Sequence, residues 1–229
     1  MAWNPDWITD QTVELQMLAF RLVETQYIAA TMRLVDNAAE QDLLEQMLEG
    51  SKPPVPAEAE GLHYLLAAPF RYVPPTGSRF RAANTPGLWY GADDAFCACA
   101  EVAYWRQRFL LDSAGLVKGA LATEHSMYQA LVKGMAINLL VPPWVEASAL
   151  WTDPVDYTQT QRLGGLARDA GHVAWLRYAS VRAPGHVCAA VLQPKSLSMA
   201  NPEGRYEQWH CYATRDRVTF SNGRERFDF

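Results

Sequence analysis

The sequence predicts an α+β protein with a mixed or antiparallel β core, helices first and strands late. Three observations carry this reading. Helical periodicity dominates residues 9–49, short aromatic segments bounded by glycine or proline begin near residue 77, and the last third is a run of β-rich segments. The regular alternation of strand and helix that marks a doubly wound parallel sheet is not the order seen here.

The elements follow in order. Over residues 9–49 the apolar positions Val13, Met17, Phe20, Val23, Tyr27 and Ile28 recur at three- and four-residue steps, and Thr9 or Asp10 can cap the helix. AEQDLLEQMLE is a second helical piece ending at Gly50, and SKPPVPAEAEG (51–61) reads as a linker or wrapped loop. The expected organisation is a helical N-terminal extension and linker over residues 1–60, then a main domain over 61–229. From His63, HYLLAAPFRYV reads as an extended segment entering the core, and GSRFRA and GLWYGA read as short strands. Ala92–Leu111 reads as the central helix, capped by Asp93 or Asp94. SMYQALVKG and MAINLLV read as a strand pair joined at Gly134. WVEASALW and YTQTQRLGGLARDAG read as helices, the second ending at Gly171. VAWLRYASV, HVCAAVLQP, QWHCYATRD and RVTFS complete a strand-rich C-terminal half.

Composition narrows the function classes. The chain has 229 residues, 49% hydrophobic and 20% charged, a soluble globular balance with enough length for a full core. A net charge of −5 argues against a general nucleic-acid binder. No apolar run reaches the ~20 residues of a membrane-spanning helix. The opening MAWNPDWITDQTVELQ has neither the basic nor the apolar region of a signal peptide, so a cytoplasmic location is expected. The four cysteines, Cys97, Cys99, Cys188 and Cys211, form no C-x-x-C pair. Cys97 and Cys99, two apart on a helix, point about 200° apart and cannot chelate one ion. Reduced, buried thiols and no metal are expected. His63, His125 and His210 are isolated, without metal-ligand spacing.

The chemistry concentrates in PFRYVPPTGSRFRAANTPGLWYGADDAFCACAEVAYWR, residues 69–106. Arg79, Tyr90 and Glu101 follow one another at steps of eleven residues, with Arg71 ahead of them. Arginine grips phosphate bidentately, a tyrosine face stacks on a flat ring, and a lone carboxylate stabilises a cationic sugar transition state. Together these jobs describe a site for a dinucleotide whose glycosidic bond is broken. Each residue also has a plainer reading. Glu101 can be a surface carboxylate paired with Arg106 or Arg108, and Arg71 and Arg79 can be exposed ion-pairing residues. Arg81 can substitute for Arg79. Alternation along GLWYGA puts Trp89 and Tyr90 on opposite faces, one toward the core and one toward a cleft. Ser180 in RYASVR is either a strand-end hydroxyl or a group that orients the ligand. A serine hydrolase built on Ser180, His172 or His186, and Asp169 lacks the G-x-S-x-G elbow. A nucleotide-binding module without turnover is a further alternative.

These residues resemble the RES-domain family, named for a characteristic arginine, glutamate and serine. Its members are the toxin halves of Xre–RES toxin–antitoxin systems of the ParS–ParT type. The matching motifs are PFRY (69–72), GSRFR (77–81), GLWYGA (87–92), AEVAYWR (100–106), DPVDYTQTQRLG (153–164) and RYASVR (177–182). The resemblance implies an ADP-ribosyltransferase-like fold and NAD as co-substrate. It implies Arg79, Tyr90, Glu101 and Ser180 as catalytic residues, and Arg71 and Tyr72, with Arg79, Tyr90 and Ser180, as cofactor-binding residues. Ala179 stands where the family commonly has proline. The partners implied are an Xre-like antitoxin and a protein acceptor of ADP-ribose, phosphoribosyl-pyrophosphate synthetase being one type, with no nucleic acid and no membrane. The alternative activity is NAD breakdown by hydrolysis or phosphorolysis. The extension of roughly fifty residues favours transfer to a protein, which needs a docking surface of several hundred Å². Helix 9–35 and the tryptophans Trp3, Trp7 and Trp144 are expected to offer a protein interface.

Overall fold

The computed structural model describes residues 3–25, 34–116, 119–201 and 206–229. After a single helical turn at Trp7–Asp10, its first long element is a strand, β1 (Thr12–Glu24), where a helix was expected. The apolar residues here satisfy two periods at once. Leu15, Met17, Ala19 and Val23 join one hydrophobic cluster, and Phe20 and Leu22 join another. That is the two-residue alternation of a strand covered on both faces. A long-range partner decides between the periods: every residue of β1 is in register with β3 (Leu121–Asn138), from Thr12 opposite Ile137 to Glu24 opposite His125. Tyr27 and Ile28, the far end of the expected helix, lie outside the described residues.

The second helical piece is present as α1 (Ala38–Ser51), capped by the Asn37 side chain, which accepts from the Glu40 N–H at 3.0 Å. The segment after His63 is helix α2 (Tyr64–Arg71), not extended chain. Pro69 hides this helix in the sequence, because proline cannot donate to the carbonyl four residues back. That carbonyl, of Leu65, accepts from the Tyr128 hydroxyl instead, at 3.0 Å. GLWYGA supplies β2 (Trp89–Ala92), whereas GSRFRA forms only a Ser78–Arg81 bridge. The central helix is α3 (Ala95–Asp112), capped by Asp94, which accepts from the Cys97 N–H at 2.7 Å.

β3 runs unbroken through Gly134, where a hairpin was expected. Gly134 has φ +145°, a conformation only glycine adopts readily, yet it stays in register with Leu15. Two short helical turns, Trp144–Ala147 and Ser148–Trp151, lead to α4 (Thr158–Asp169). The C-terminal strands are β4 (Trp175–Ala179), β5 (Val187–Val191), β6 (Leu197–Met199), β7 (Glu207–Ala213), β8 (Val218–Ser221) and β9 (Arg226–Asp228).

The sheet order is β1-β2-β5-β4-β3-β7-β8-β9, with β6 on β3 and a further pairing of β1 with β3. Five strands, β1, β2, β5, β4 and β3, therefore close into a ring. The β3–β4 pairing is parallel and the others are antiparallel, so the expected α+β class with a mixed sheet holds. The sheet crosses the boundary expected at residue 60, because β1 belongs to the same ring as the strands after residue 61. Among the described residues, α1 is the long helix left of the expected extension.

Trp3 and Trp144 are buried, contrary to the expected exposed interface. Trp3, Trp144 and Trp151 pack with ring centroids 5.8 to 6.0 Å apart, and Trp7 meets Trp144 edge-on at 5.3 Å. The Trp151 Nε1–H donates to the Trp144 carbonyl at 2.9 Å. This aromatic block fixes the chain just before a loop that the site uses. The cysteines are all buried and free, with the Cys97 and Cys188 sulfurs 3.7 Å apart.

His125, buried edge-on against Phe220, gives a test of the β1–β3 region. Burial first, and the neighbouring Arg106 second, lower its pKa from 6.5 to about 4. A base that stays neutral when folded but protonates when unfolded costs stability once pH drops below its unfolded pKa. Its contribution is complete above about pH 6.5 and is lost as pH falls toward 4. The melting temperature should decline across that window, and His125→Gln should flatten the decline. An unchanged slope in the variant would assign it to other groups.

Candidate active site

The turn at residues 78–81 is closed by reciprocal backbone bonds, Ser78 N–H to Arg81 O at 2.8 Å and Arg81 N–H to Ser78 O at 3.2 Å. Helix α4 presses directly on it. A Cβ at Gly164 would stand 2.0 Å from the Phe80 carbonyl oxygen, so only glycine permits the approach. The two arginines of the turn have different fates. Arg81 folds back onto its own loop, donating to the carbonyls of Pro74, Thr76, Ala82 and Thr85. Its donors are spent on holding that loop, which removes it as a substitute for Arg79. Arg79 turns toward the 151–157 loop. Its Nη1 donates to the carbonyls of Trp151 at 3.1 Å and Asp153 at 2.9 Å, and its Cζ lies 4.6 Å from the Tyr157 ring centroid. Asp153 shapes that loop by accepting from the Asp156 and Val155 N–H groups, which hold its carboxyl below the usual range.

Strand β2 separates its two aromatics as alternation predicts. Trp89 is fully buried, and its Nε1–H donates to the Tyr128 hydroxyl at 3.1 Å. Tyr90 lines a cavity. Its hydroxyl lies 2.9 Å from the Ser78 hydroxyl and accepts from the Phe80 N–H at 3.1 Å. Burial raises the Tyr90 pKa, so the phenol is neutral.

Helix α3 brings Ala98, Glu101, Val102 and Trp105 to the same cavity, at steps of three and four. Glu101 is not the surface ion pair of its plainer reading. Arg106 binds Glu24 at 2.5 Å and Arg108 binds Asp112 at 3.2 Å. No lysine or arginine lies within ion-pair distance of Glu101 among the described residues. The Ser180 hydroxyl donates to Glu101 Oε1 at 2.7 Å, and the Cys188 thiol approaches the same oxygen at 3.8 Å. Ser180 Oγ in turn accepts from the backbone N–H groups of Arg182 at 3.2 Å and Ala183 at 3.0 Å. Ser180 is thus a fixed peg that aims the carboxylate. It has no histidine to activate it among the described residues. His186 binds Asp93, and His172 binds the carbonyls of Ala170 and Ile8. The serine-hydrolase arrangement is not formed.

The cavity encloses about 250 Å³ and is lined by Arg21, Arg79, Tyr90, Glu101, Tyr157 and Arg182, among others. The guanidinium-bearing residues Arg79 and Arg182 share the cavity with one carboxylate, a combination suited to an anion carrying a flat ring, whereas the Arg21 guanidinium lies over Trp89, on the face of the sheet opposite Tyr90. Arg71 and Tyr72 are not brought into it. Arg71 pairs with Glu49 at 2.6 Å and donates from Nε to the Pro53 carbonyl. Both residues line a neighbouring groove whose shared wall with the cavity is Ser78 and Tyr90.

Sequence reasoning missed Arg21, Tyr157 and Arg182. Tyr157 and Arg182 stand inside DPVDYTQTQRLG and RYASVR, so the motifs flagged their segments but not these side chains. Arg182 donates to the Pro154 carbonyl at 2.5 Å and to the Tyr157 hydroxyl at 3.2 Å, and its Cζ sits 3.4 Å over the Tyr104 ring. Arg21 was concealed by the helical reading of β1.

With this geometry in place, the comparisons are specific. The class is an α+β domain that holds an arginine-rich cavity against one carboxylate-bearing helix. The family model described as RES domain matches residues 55–213, and the chain belongs to the RES-domain family. Among solved structures, the fold is similar to a chain in the crystal structure of the M. tuberculosis MbcT–MbcA toxin–antitoxin complex. That match has 14% identity and a TM-score of 0.51, covering 86% of this chain and 88% of that one. A search of curated proteins finds no match. The likeness agrees with the expected α+β fold built on a mixed sheet.

Proposed function

We propose that the chain is the toxin of a toxin–antitoxin pair and that it consumes NAD by breaking the bond between nicotinamide and ribose. One observation carries the proposal: Glu101, fixed by Ser180, is among the described residues the one carboxylate on a cavity that Arg79 and Arg182 also line. As nicotinamide leaves, positive charge builds on the ribose carbon, and an aligned carboxylate offsets it. Arg79 and its neighbours take the diphosphate, and Tyr90 and Tyr157 offer faces for the rings. Arg71 and Tyr72, in the groove that adjoins through Ser78 and Tyr90, extend the binding surface for the rest of the dinucleotide. The toxin in the similar solved structure is held by an antitoxin, and membership of the RES family supports an antitoxin partner here, of the Xre-like kind. Co-purification with the product of the neighbouring gene tests this.

The acceptor of ADP-ribose divides two readings. Transfer to a protein is supported by α1, which exposes Leu43, Met47 and Leu48 as a docking face. Breakdown with water or phosphate is supported by β1, which takes into the sheet much of the chain that would otherwise serve docking. Incubation of the protein with labelled NAD, with and without a bacterial lysate, separates them. Label on a protein band means transfer. Rapid multi-turnover loss of NAD in buffer alone means breakdown. No NAD loss and no label in either arm overturns both.

Ser180→Ala supplies a graded test. The change removes the peg but leaves the Glu101 charge, so NAD turnover should drop by about tenfold, from loss of one charge-assisted hydrogen bond. The drop should be smaller than that of Glu101→Gln. Equal losses in the two variants would mean that Ser180 contacts the ligand itself.

A further inference from the structure

Trp105 is an aromatic on the cavity wall that the chemistry above leaves unused. It stands one turn beyond Glu101 on α3. Taking Glu101 as origin and about 100° per residue, Trp105 lies at about 40° around the helix, Ala98 at about 60° and Val102 at about 100°. All four line the cavity, so the indole leaves the helix in the middle of the cavity-facing arc. The flanking positions are committed elsewhere: Tyr104 carries Arg182 over its ring, and Arg106 pairs with Glu24. Trp105 is 50% exposed, whereas Trp89, Trp144, Trp151, Trp175 and Trp209 are fully buried. A lone exposed indole on an outer surface asks for no explanation. This one stands where a cavity opens to solvent, and Tyr104 meets its ring near-perpendicular at 5.2 Å. The cavity arginines Arg79 and Arg182 lie over the tyrosines Tyr157 and Tyr104, and among the described residues no cation lies over Trp105.

We infer that Trp105 is a specificity-determining residue whose indole face takes the positively charged nicotinamide ring of oxidised NAD. The inference rests on the dinucleotide reading above and names which end of the dinucleotide lies at this rim. With Glu101 at the ribose carbon whose bond to nicotinamide breaks, the ring lies within a helical turn of Glu101. Trp105 is four residues on, about 6 Å along the helix axis. The adenine, beyond two phosphates and a second ribose, is out of that reach. A tryptophan face is the best aromatic partner for a cation. The ring is cationic before cleavage and neutral once the bonding pair passes to its nitrogen. The attraction therefore holds the substrate and lapses for the leaving group. The reduced dinucleotide, whose dihydropyridine ring is uncharged, gains nothing from it.

The test is steady-state NAD turnover by the full chain, inhibited by two phosphate-free ring probes: N1-methylnicotinamide, which is cationic, and nicotinamide, which is neutral. ADP-ribose, which lacks the ring, is the control and is titrated by calorimetry. The native chain should be inhibited more strongly by the cation than by the neutral ring. Trp105→Leu keeps apolar bulk without a π face. It should raise KM for NAD by about fivefold or more, with most of the loss in KM rather than kcat, and erase the difference between the probes. Trp105→Phe should fall between Trp105→Leu and the native chain, and stands in if the leucine variant does not fold. ADP-ribose affinity should stay within about twofold in both variants. An unchanged KM would overturn the inference and leave Trp105 a bare rim residue. Equal losses for NAD and ADP-ribose would overturn it too, by moving the contact to another part of the ligand. So would a native chain that consumes NAD but shows no preference for the cationic probe. Failure of the native chain to consume NAD or bind ADP-ribose would sink the dinucleotide reading, and the inference with it.

Discussion

Glu101→Gln should leave the protein folded and reduce NAD consumption by about 10²-fold or more, the scale of losing one preorganised charge at a reacting centre. Glutamine keeps the size of the side chain and can still accept from Ser180. What it loses is the negative charge that the proposed chemistry sets opposite a developing ribose cation. The structure isolates this effect, since Glu101 has no arginine partner that its neutralisation would strand; Arg106 and Arg108 pair elsewhere. Melting temperature and circular dichroism should match the native chain. Full activity in the variant would remove Glu101 from the chemistry and with it the glycosidic-bond assignment.

Arg79→Lys should be nearly as damaging, for a different reason. One guanidinium there does two jobs, holding the Trp151 and Asp153 carbonyls with Nη1 while stacking on Tyr157. Lysine supplies a point charge with neither the fork nor the flat face. NAD affinity measured by calorimetry should drop by about tenfold or more. The 151–157 loop should become easier to cut by protease. Unchanged affinity would move the diphosphate contact to Arg182. Arg81, committed to its own loop, could not take the role without releasing four carbonyls.

The grouping of Arg79, Tyr90 and Glu101 on one cavity was legible because it is local in sequence: a turn, a short strand and a helix in succession deliver them. The alternation of Trp89 and Tyr90 followed from strand geometry alone. Ser180 was legible as part of a motif, but its role as a peg under Glu101 needed the sheet, since β4 and α3 meet only through long-range packing. Illegible features share one cause. TVELQMLAFRLVE carries apolar residues that fit both helical and strand periods, and only β3, a hundred residues later, selects the strand. Misreading it hid the wall that Phe20 and Leu22 of β1 give the cavity. The helix Tyr64–Arg71 was hidden by Pro69, whose missing donor is compensated by a tyrosine from β3. The distant partner was again invisible in the local pattern.

The ring of strands has a consequence for when this protein can act. The cavity wall draws on residues from Phe20 to Cys188, and β1 finds its partner only once β3 is present. No fragment shorter than residues 20–188 contains every residue of the cavity wall. A chain emerging from the ribosome cannot assemble this cavity until most of it has been made, because non-local pairings are the last to close. On the proposed toxin reading, that delay is an interval, set by translation itself, in which a neutralising partner could already be waiting.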